Sequence, residues 1–347
     1  MVRSHARGRL LEPVLMWTVA ALSLTSCELL FMTRPPDVSP EAIFHEAWTF
    51  ADTHYSFFEL KEVDWDDAYD TYQPQVRPDM TDRELFGLLA EMLSLLRDGH
   101  VNLRSPFDLS RYWDWYLDYP ENFDPELLER HYFRDTQEYA GPFVLHDFAA
   151  DNAGYARYAS FADTVTPTHL DYLFTRFADR AGIILDVRSN GGGAGGNAYR
   201  IANRLVSTRT VRGYQEYKAG PGRDDFTPPQ NVVLSPPDAG LRWEKPFVVL
   251  TNRSSYSATN LFVALVKGLD QVTVVGDRTG GGGGFPAFTE LSNGWLMRVS
   301  AHRFFTADGL NAELGIEPDV RVDMEQADEV IGRDTILETA RAIIRGD

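Results

Sequence analysis

The segment TNRSSYSATNLF, residues 251–262, joins two apolar stretches of different periodicity. Before it, Phe247 to Leu250 is a short apolar run, which predicts a buried strand. After it, apolar residues recur at helical spacing from Leu261 onward. The sequence therefore predicts a strand–turn–helix unit with Ser257 near the helix N-terminus, where free N–H groups and the helix dipole favour an oxyanion. The alternative interpretation is that Ser257 only caps its helix.

A second predicted strand, residues 183–187, is followed by the glycine-rich loop NGGGAGG at residues 190–196. The loop satisfies the dinucleotide-binding pattern G-x-G-x-x-G, and Glu216 lies near the position of a ribose-binding acid. Any glycine-rich turn of this length can match that pattern. The other interpretation is that the loop offers backbone N–H groups to a developing negative charge.

His100 begins a third predicted strand, residues 100–104, in which polar and apolar residues alternate. The preceding helix starts with a capping box at Thr81 and is predicted to end at Asp98-Gly99, with Gly99 as a left-handed C-cap. His100 lies on the polar side of its strand and at an element junction, where catalytic groups are often placed.

The composition limits the classes of partner. The chain has 347 residues and 44% hydrophobic content, enough for a sizeable core in one large domain or two smaller ones. The net charge of −18 argues against nucleic acid and against electrostatic docking on anionic lipid. Cys27 is the only cysteine, so no intramolecular disulfide can form.

The first residues are predicted to be a targeting segment. A basic stretch precedes the apolar run from Pro13 to Leu24, which is too short to span a membrane. The following Leu24-Thr25-Ser26-Cys27 resembles the lipobox of a bacterial lipoprotein, with Cys27 as the lipidated residue. An ordinary signal peptide is the alternative. We therefore expect a signal peptide at residues 1–27 and a tether at residues 28–38.

Beyond the tether, predicted strands and helices alternate, which indicates an α/β class. Residues 39–98 are predicted to form a small helical bundle. Residues 105–150 and 207–245 are predicted to be largely irregular, and one closing helix is expected at residues 328–344. Five consecutive glycines at residues 280–284 predict a mobile or tightly apposed loop.

Four segments occur in one order that resembles a known family: LRDGHV at 96–101, DVRSNGGG at 186–193, SYSA at 255–258 and GIEPD at 315–319. They resemble the tail-specific, or C-terminal processing, proteases of peptidase family S41, with the tricorn core protease and the interphotoreceptor retinoid-binding protein repeats. The resemblance implies a crotonase-like, or ClpP-like, α/β spiral core at residues 99–347 behind the N-terminal helical bundle.

Within that resemblance, Ser257 matches the nucleophile, and Gly191 or Gly192 matches the oxyanion hole together with Ala258. Family members of the Ser–Lys type carry a lysine in a short glycine turn downstream, and the matching turn here, residues 280–284, has none. The tricorn-like branch uses a histidine instead.

His100 matches the histidine of that branch, and Glu313 is the nearest match to the downstream acid that orients it. One departure concerns Gly99, since the tricorn-type segment has Ser at this place.

The resemblance implies a serine endopeptidase acting on peptides or proteins without a metal or organic cofactor, anchored in the bacterial cell envelope through Cys27. An inactive relative that binds a peptide or hydrophobic ligand is the alternative. Presence of both His100 and Ser257 favours the enzyme, whereas a dinucleotide-binding enzyme would leave both residues unexplained. The oligomeric state stays open.

Overall fold

The structure is a computed structural model that describes residues 36–133 and 137–347. The predicted signal peptide at residues 1–27, the lipidation of Cys27 and most of the tether at residues 28–38 lie outside the described residues. Pro40–Asp347 forms one unit. Within the described ranges, no helix has the length and apolar character needed to cross a membrane.

Helices are concentrated at the two ends of this unit and between the strands of its largest sheet. They are α1 (Pro40–His54), α2 (Trp65–Tyr72), α3 (Asp82–Ser94), α4 (Asp114–Leu117), α5 (Pro125–Leu128), α6 (Pro167–Arg176), α7 (Gly195–Ala202), α8 (Ala258–Val266), α9 (Gln326–Val330) and α10 (Thr335–Arg345).

The strands of the described residues form three sheets. They are β1 (Asn102–Arg104), β2 (Leu109–Arg111), β3 (Glu138–Ala140), β4 (Phe143–Phe148), β5 (Ala153–Tyr158), β6 (Gly182–Asp186), β7 (Thr210–Tyr217), β8 (Gln230–Leu234), β9 (Phe247–Thr251), β10 (Val272–Gly276), β11 (Pro286–Glu290), β12 (Leu296–Ser300), β13 (His302–Thr306) and β14 (Val320–Arg321).

The central sheet has the order β14-β10-β9-β6-β5-β4-β3. It is parallel from β14 to β5, and β4 and β3 continue it antiparallel. A four-stranded antiparallel sheet has the order β11-β12-β1-β2, and a three-stranded antiparallel sheet has the order β13-β7-β8. The predicted α/β class is confirmed.

The central sheet is covered on both faces, which explains the continuous apolar runs of its inner strands. Along β6, Ile183 and Leu185 join a cluster with Phe262 of α8. Ile184, which points to the opposite face, joins a second cluster with Ile336 of α10. Since side chains alternate between the two faces of a strand, β6 needs apolar residues at every position.

Helices α1 to α3 pack on the four-stranded sheet. One cluster contains Phe44 of α1, Leu89 of α3, Leu103 of β1 and Met297 of β12. The helical region predicted at residues 39–98 therefore shares its core with strands from residues 99–347. The capping box is confirmed, because Thr81 accepts a hydrogen bond from the Glu84 N–H and its own N–H donates to the Glu84 carboxylate.

Both regions predicted to be irregular contain strands. Residues 207–245 hold β7 and β8, and residues 105–150 hold β2, β3 and β4. The prediction missed β7 because its partner β13 lies at residues 302–306, and a pairing over such a separation leaves no local pattern.

The closing helix is also divided. Residues 328–344 were predicted as one helix, but α9 ends at Val330 and α10 starts at Thr335. Gly332 adopts a φ of 76°, and the Asp334 side chain accepts a hydrogen bond from the Leu337 N–H. A left-handed glycine followed by a new N-cap ends one helix and begins the next.

A buried ion cluster fixes the end of β6. Arg188 is fully buried, and its guanidinium lies 2.7 Å from Asp186 and 2.9 Å from Asp334 at the start of α10. A buried cation needs such partners because it has lost its hydration. The cluster therefore ties the loop that follows β6 to the C-terminal helix.

We expect Arg188→Ala to lower the free energy of unfolding by about 3–5 kcal/mol, because it leaves two buried carboxylates without their cation. Urea unfolding followed by circular dichroism measures this loss. Arg130→Ala is the control, since Arg130 pairs with Glu126 at the surface, and it should change stability by less than about 1 kcal/mol. Equal, small losses of stability for Arg188→Ala and Arg130→Ala would show that the buried ion cluster does not stabilise the fold.

Candidate active site

Two loops meet at the carboxyl edge of the central sheet. Strands β6 and β9 are parallel neighbours, so the segments that follow them leave the sheet at the same edge. The glycine-rich loop follows β6, and the turn that leads to Ser257 follows β9. The loop is bound to that turn, because the Asn190 carbonyl accepts hydrogen bonds from the Tyr256 N–H at 3.1 Å and Thr259 Oγ1 at 2.8 Å.

Ser257 precedes helix α8 in an unusual backbone conformation. Its φ is 59° and its ψ is −117°, a region that L-residues rarely occupy. Its side chain makes no capping hydrogen bond, so the simple N-cap interpretation fails. The hydroxyl instead lies 3.0 Å from His100 Nε2. The strained turn therefore presents Ser257 Oγ to the histidine.

His100 reaches Ser257 from the four-stranded sheet. The strand predicted at residues 100–104 begins only at Asn102, so His100 lies in the turn before β1, where its backbone N–H donates to Asp98 Oδ1 at 2.7 Å. The Tyr256 ring packs edge-on against the imidazole with the ring centroids 5.0 Å apart. Only 6% of His100 is exposed. Packing against Tyr256 thus holds the imidazole, and the Asp98 hydrogen bond holds the His100 backbone.

Burial lowers the pKa of His100 to about 4. The nearby Asp98 charge raises the pKa, whereas the guanidiniums of Arg298 and Arg111 lower it further. Nδ1 is buried and forms no well-aligned hydrogen bond within the described residues, although the Gly284 backbone favours the protonated ring. His100 is therefore neutral at pH 7, which is the form that accepts a proton.

Glu313 is bonded to Lys61 and to the glycine run rather than to His100. Its Oε1 lies 2.9 Å from Lys61 Nζ, and its Oε2 accepts a hydrogen bond of 2.9 Å from the Gly283 N–H. Burial and the Asp98 charge raise the pKa of Glu313 to about 7, against the opposing effect of Lys61. The structure thus differs from the expectation, because the segment between α1 and α2 supplies a lysine that sequence order could not place beside this acid.

Backbone N–H groups of the α8 terminus and of the glycine loop line the pocket that contains Ser257. The Ala258 N–H is the first of helix α8 and has no intrahelical acceptor. The Gly192 N–H, in contrast, already donates to Asn190 Oδ1 at 3.0 Å. Gly191 lines the same pocket as His100 and Ser257. The arrangement therefore favours Ala258 and Gly191 as oxyanion donors and gives Gly192 a packing role.

Asn190 is a positioning residue that the sequence did not reveal. It is fully buried; its Oδ1 accepts from the N–H groups of Gly192 and Phe161, and its Nδ2 donates to the Tyr158 carbonyl. One amide thereby fixes the glycine loop against β5. The motif DVRSNGGG contained this residue, but nothing local distinguished it from an exposed loop asparagine.

We expect Gly192→Ala to reduce kcat by at least about 100-fold, because the added methyl group would displace Ser257 and the Ala258 oxyanion donor, and a lost donor alone has an effect of that size. Gly192 has a φ of 98°, and an added Cβ would lie 2.7 Å from Ser257 Cβ and 2.9 Å from the Ala258 nitrogen. Gly196→Ala is the control, because a Cβ there meets nothing within 4 Å. Steady-state kinetics with a thermal melt separates displacement of the nucleophile from unfolding; a fully active Gly192→Ala protein would contradict the packing argument.

The glycine run at residues 280–284 is tightly apposed. The Ser257 N–H donates to the Gly281 carbonyl at 2.9 Å, and a Cβ on Gly282 would collide with the Tyr256 ring. A lysine in this turn has no room beside Ser257. Lys267, at the opposite end of α8, contacts Asp319 at 3.4 Å.

Gly99 has a different role from the one predicted. The residue with positive φ near the end of α3 is Arg97, with a φ of 45°. At Gly99, an added Cβ would lie 2.6 Å from the Trp115 indole nitrogen and 2.8 Å from the Tyr256 hydroxyl. Trp115 stacks on Tyr256 with centroids 4.0 Å apart. This aromatic pair fills the space that a serine would need.

The dinucleotide-binding interpretation requires Glu216 to be available as a ribose-binding acid, and the structure does not support this. Glu216 lies in β7 and pairs with Arg303 at 3.1 Å, while the glycine loop packs against the Ser257 turn. Within residues 36–133 and 137–347, no cluster of three or more His, Cys, Asp or Glu side chains is placed to hold a metal ion.

A serine and a neutral histidine in hydrogen-bond contact, beside a helix N-terminus and a glycine loop, form the arrangement that serine hydrolases use. The model of peptidase family S41 matches residues 152–322, and that of the tricorn protease C1 domain matches residues 36–94. The crystal structure of a candidate peptidase from Parabacteroides merdae has a TM-score of 0.85 to this chain, at 46% identity, and covers 89% of this chain and 97% of that chain. The chain belongs to peptidase family S41.

More distant relatives agree with this assignment. The chloroplastic C-terminal processing peptidase of Tetradesmus obliquus is 29% identical over 180 residues, which is 51% of this chain and 36% of that protein. The chain thus matches about a third of the length of the curated relatives. The crystal structure of the tricorn protease, at 17% identity, covers 89% of this chain and 36% of that chain with a TM-score of 0.57, which shows a shared fold.

Proposed function

We propose that this protein is a serine endopeptidase in which His100 activates Ser257. The observation that carries the proposal is the 3.0 Å contact between His100 Nε2 and Ser257 Oγ at the start of α8. Membership of peptidase family S41 supports the same activity and implies peptide or protein substrates.

In the proposed reaction, neutral His100 takes the Ser257 proton while Oγ attacks the scissile carbonyl. The oxyanion that forms accepts hydrogen bonds from the N–H groups of Ala258 and Gly191, which stabilise it most where water is excluded. His100 then returns the proton to the leaving amine, and an acyl-enzyme remains on Ser257 until water hydrolyses it.

The imidazolium that forms when His100 takes the Ser257 proton needs a counter-charge. Asp98 supplies it through space, since its charge raises the pKa of His100, and the His100 backbone N–H and the Ser300 hydroxyl hold its carboxylate in place by donating to it. Glu313 acts at a distance, since it and Lys61 hold Gly283 in the glycine run. We infer a positioning role for Glu313 rather than the orientation of the histidine.

A fluorophosphonate probe followed by peptide mapping tests the function. We expect one adduct, on the peptide that contains Ser257, and cleavage of an unfolded protein such as β-casein. Absence of both would overturn the peptidase and favour an inactive member of the family that binds its ligand without cleavage.

The pH dependence should reflect the low pKa of His100. We expect kcat/KM to stay nearly constant from pH 7 to 5 and to fall through about pH 4, the pKa of His100 in the folded protein. A pH–rate profile in buffers of constant ionic strength measures this limb. A fall centred near 6.5, the ordinary histidine value, would contradict the buried base.

The free energy of unfolding should also decrease as the pH falls. His100 and His302 each have a pKa of about 4 when folded, so between about pH 6.5 and 4 the unfolded chain binds more protons. Stability is therefore complete above this window and is lost as the pH falls through it. Thermal melts should show a smaller acid loss for His100→Asn than for the unchanged protein.

We further propose that lipidation of Cys27 anchors the protein in a bacterial cell envelope. The lipobox-like Leu24-Thr25-Ser26-Cys27 supports this. Stable attachment needs more than one acyl chain, because a single chain binds only marginally. Cys27→Ala should move the protein from the membrane fraction to the soluble fraction; an unchanged fractionation would overturn the anchor.

A further inference from the structure

Two arginines flank the catalytic histidine on the four-stranded sheet. Asn102 of β1 pairs with Arg298 of β12 on one side and with Arg111 of β2 on the other. Residues in direct register share a face of a sheet, so both arginines lie beside Asn102, and His100 lies in the turn two residues before it. Both arginines accordingly line the pocket that contains His100 and Ser257.

These two guanidiniums have no counter-ion in the described part of the chain. Neither forms an ion pair there, and the Nε of each is buried without a hydrogen-bond acceptor. The Arg111 guanidinium lies over the Trp113 ring at 4.4 Å. Burial and the charge of Arg111 lower the pKa of Arg298, so the two cations repel each other.

Nearby acids do not neutralise this pair. Asp98 affects the pKa of Arg298 through space, but its two oxygens accept from the His100 N–H and the Ser300 hydroxyl. In a chain with a net charge of −18, an unpaired arginine pair in a pocket is unexpected unless an anion from outside completes it. A planar guanidinium fork matches a carboxylate better than it matches other common anions of peptides.

The geometry points to a subsite in which Arg111 and Arg298 bind a carboxylate of the peptide substrate on the leaving-group side of the scissile bond. The side follows from the chemistry, because His100 gives its proton to the leaving amine and the arginines flank His100. The carboxylate is an Asp or Glu side chain of the substrate, because the proposed enzyme cleaves within a peptide chain. This inference rests on the proposed peptidase function and adds its specificity.

The kinetic test uses a bond found by mass-spectrometric mapping of a β-casein digest. Peptides around it are made in matched pairs, with Asp or Asn on the leaving-group side and with a free or amidated end. We expect kcat/KM to be at least about tenfold higher for the Asp peptide than for its Asn partner. A difference confined to the pair with a free or amidated end would overturn the side-chain subsite.

The double variant Arg111→Gln/Arg298→Gln should cleave both peptides of the Asp and Asn pair with nearly equal kcat/KM. Arg104→Gln is the matched control, because Arg104 lies on β1 but is exposed and should leave the ratio unchanged. Equal rates within every pair for the unchanged protein, or a ratio that survives in the double variant, would overturn the subsite.

Binding without turnover separates this inference from the proposed function. Fluorescence anisotropy on Ser257→Ala protein uses matched Asp and Asn peptides from β-casein, whether or not the unchanged protein cleaves it. The Asp peptide should bind about tenfold more tightly, and the difference should disappear when Arg111 and Arg298 both become Gln. If no peptide is cleaved and no fluorophosphonate reacts, the peptidase proposal fails, and this binding difference alone decides the carboxylate site. No difference in binding would overturn it.

Discussion

Ser257→Ala is expected to lower kcat by about 10⁴ to 10⁶-fold, because the remaining oxyanion donors cannot replace a nucleophile. The hydroxyl contacts His100 and caps no helix, so the thermal midpoint should stay nearly unchanged. Hydrolysis of β-casein and fluorophosphonate labelling measure the loss. Residual turnover above about one hundredth of the unchanged enzyme would contradict Ser257 as nucleophile.

Ser257→Gly is a matched variant that also removes the hydroxyl but should raise the thermal midpoint. Glycine adopts a φ of 59° without the strain that any L-side chain experiences there, which amounts to about 1–3 kcal/mol. We expect Ser257→Gly to be as inactive as Ser257→Ala but more stable. Equal stability of the two variants would indicate that the turn is not strained.

His100→Ala should reduce kcat about as much as Ser257→Ala, because a serine without its base is a weak nucleophile at neutral pH. The double variant should be scarcely worse than either single one, since the two residues act as a unit. Matched kinetics on the three variants measure this coupling. Near-normal turnover by His100→Ala would overturn the mechanism.

His302→Ala is the control for a pocket histidine. His302 also has a pKa lowered to about 4 by burial, but its Nε2 faces Gln215 Oε1 at 3.3 Å. We expect this variant to keep most of its turnover. A loss as large as that of His100→Ala would show that pocket integrity, rather than proton transfer from Ser257, sets the rate.

Local sequence patterns determined the parts of this site that lie within single elements. An apolar run before TNRSSYSATNLF predicted the strand and helix that present Ser257, and a second run predicted the strand before the glycine loop. Alternation at residues 100–104 predicted a polar face for His100, although β1 begins only at Asn102. These predictions depend on hydrophobic period over a few residues. The expectation that no lysine serves as the base came instead from the family resemblance, because the turn at residues 280–284 lacks the lysine of the Ser–Lys members.

Tertiary structure alone decided which distant side chains meet. Glu313 pairs with Lys61 from the helical region, so the acid expected beside His100 holds the glycine run instead. Arg111 and Arg298 become neighbours only when β1 pairs with both β2 and β12. The need for glycine at Gly99 arises from Trp115 and Tyr256, which meet there across the fold. Contacts between residues far apart in the chain have no local period, because burial and charge pairing in the folded chain create them.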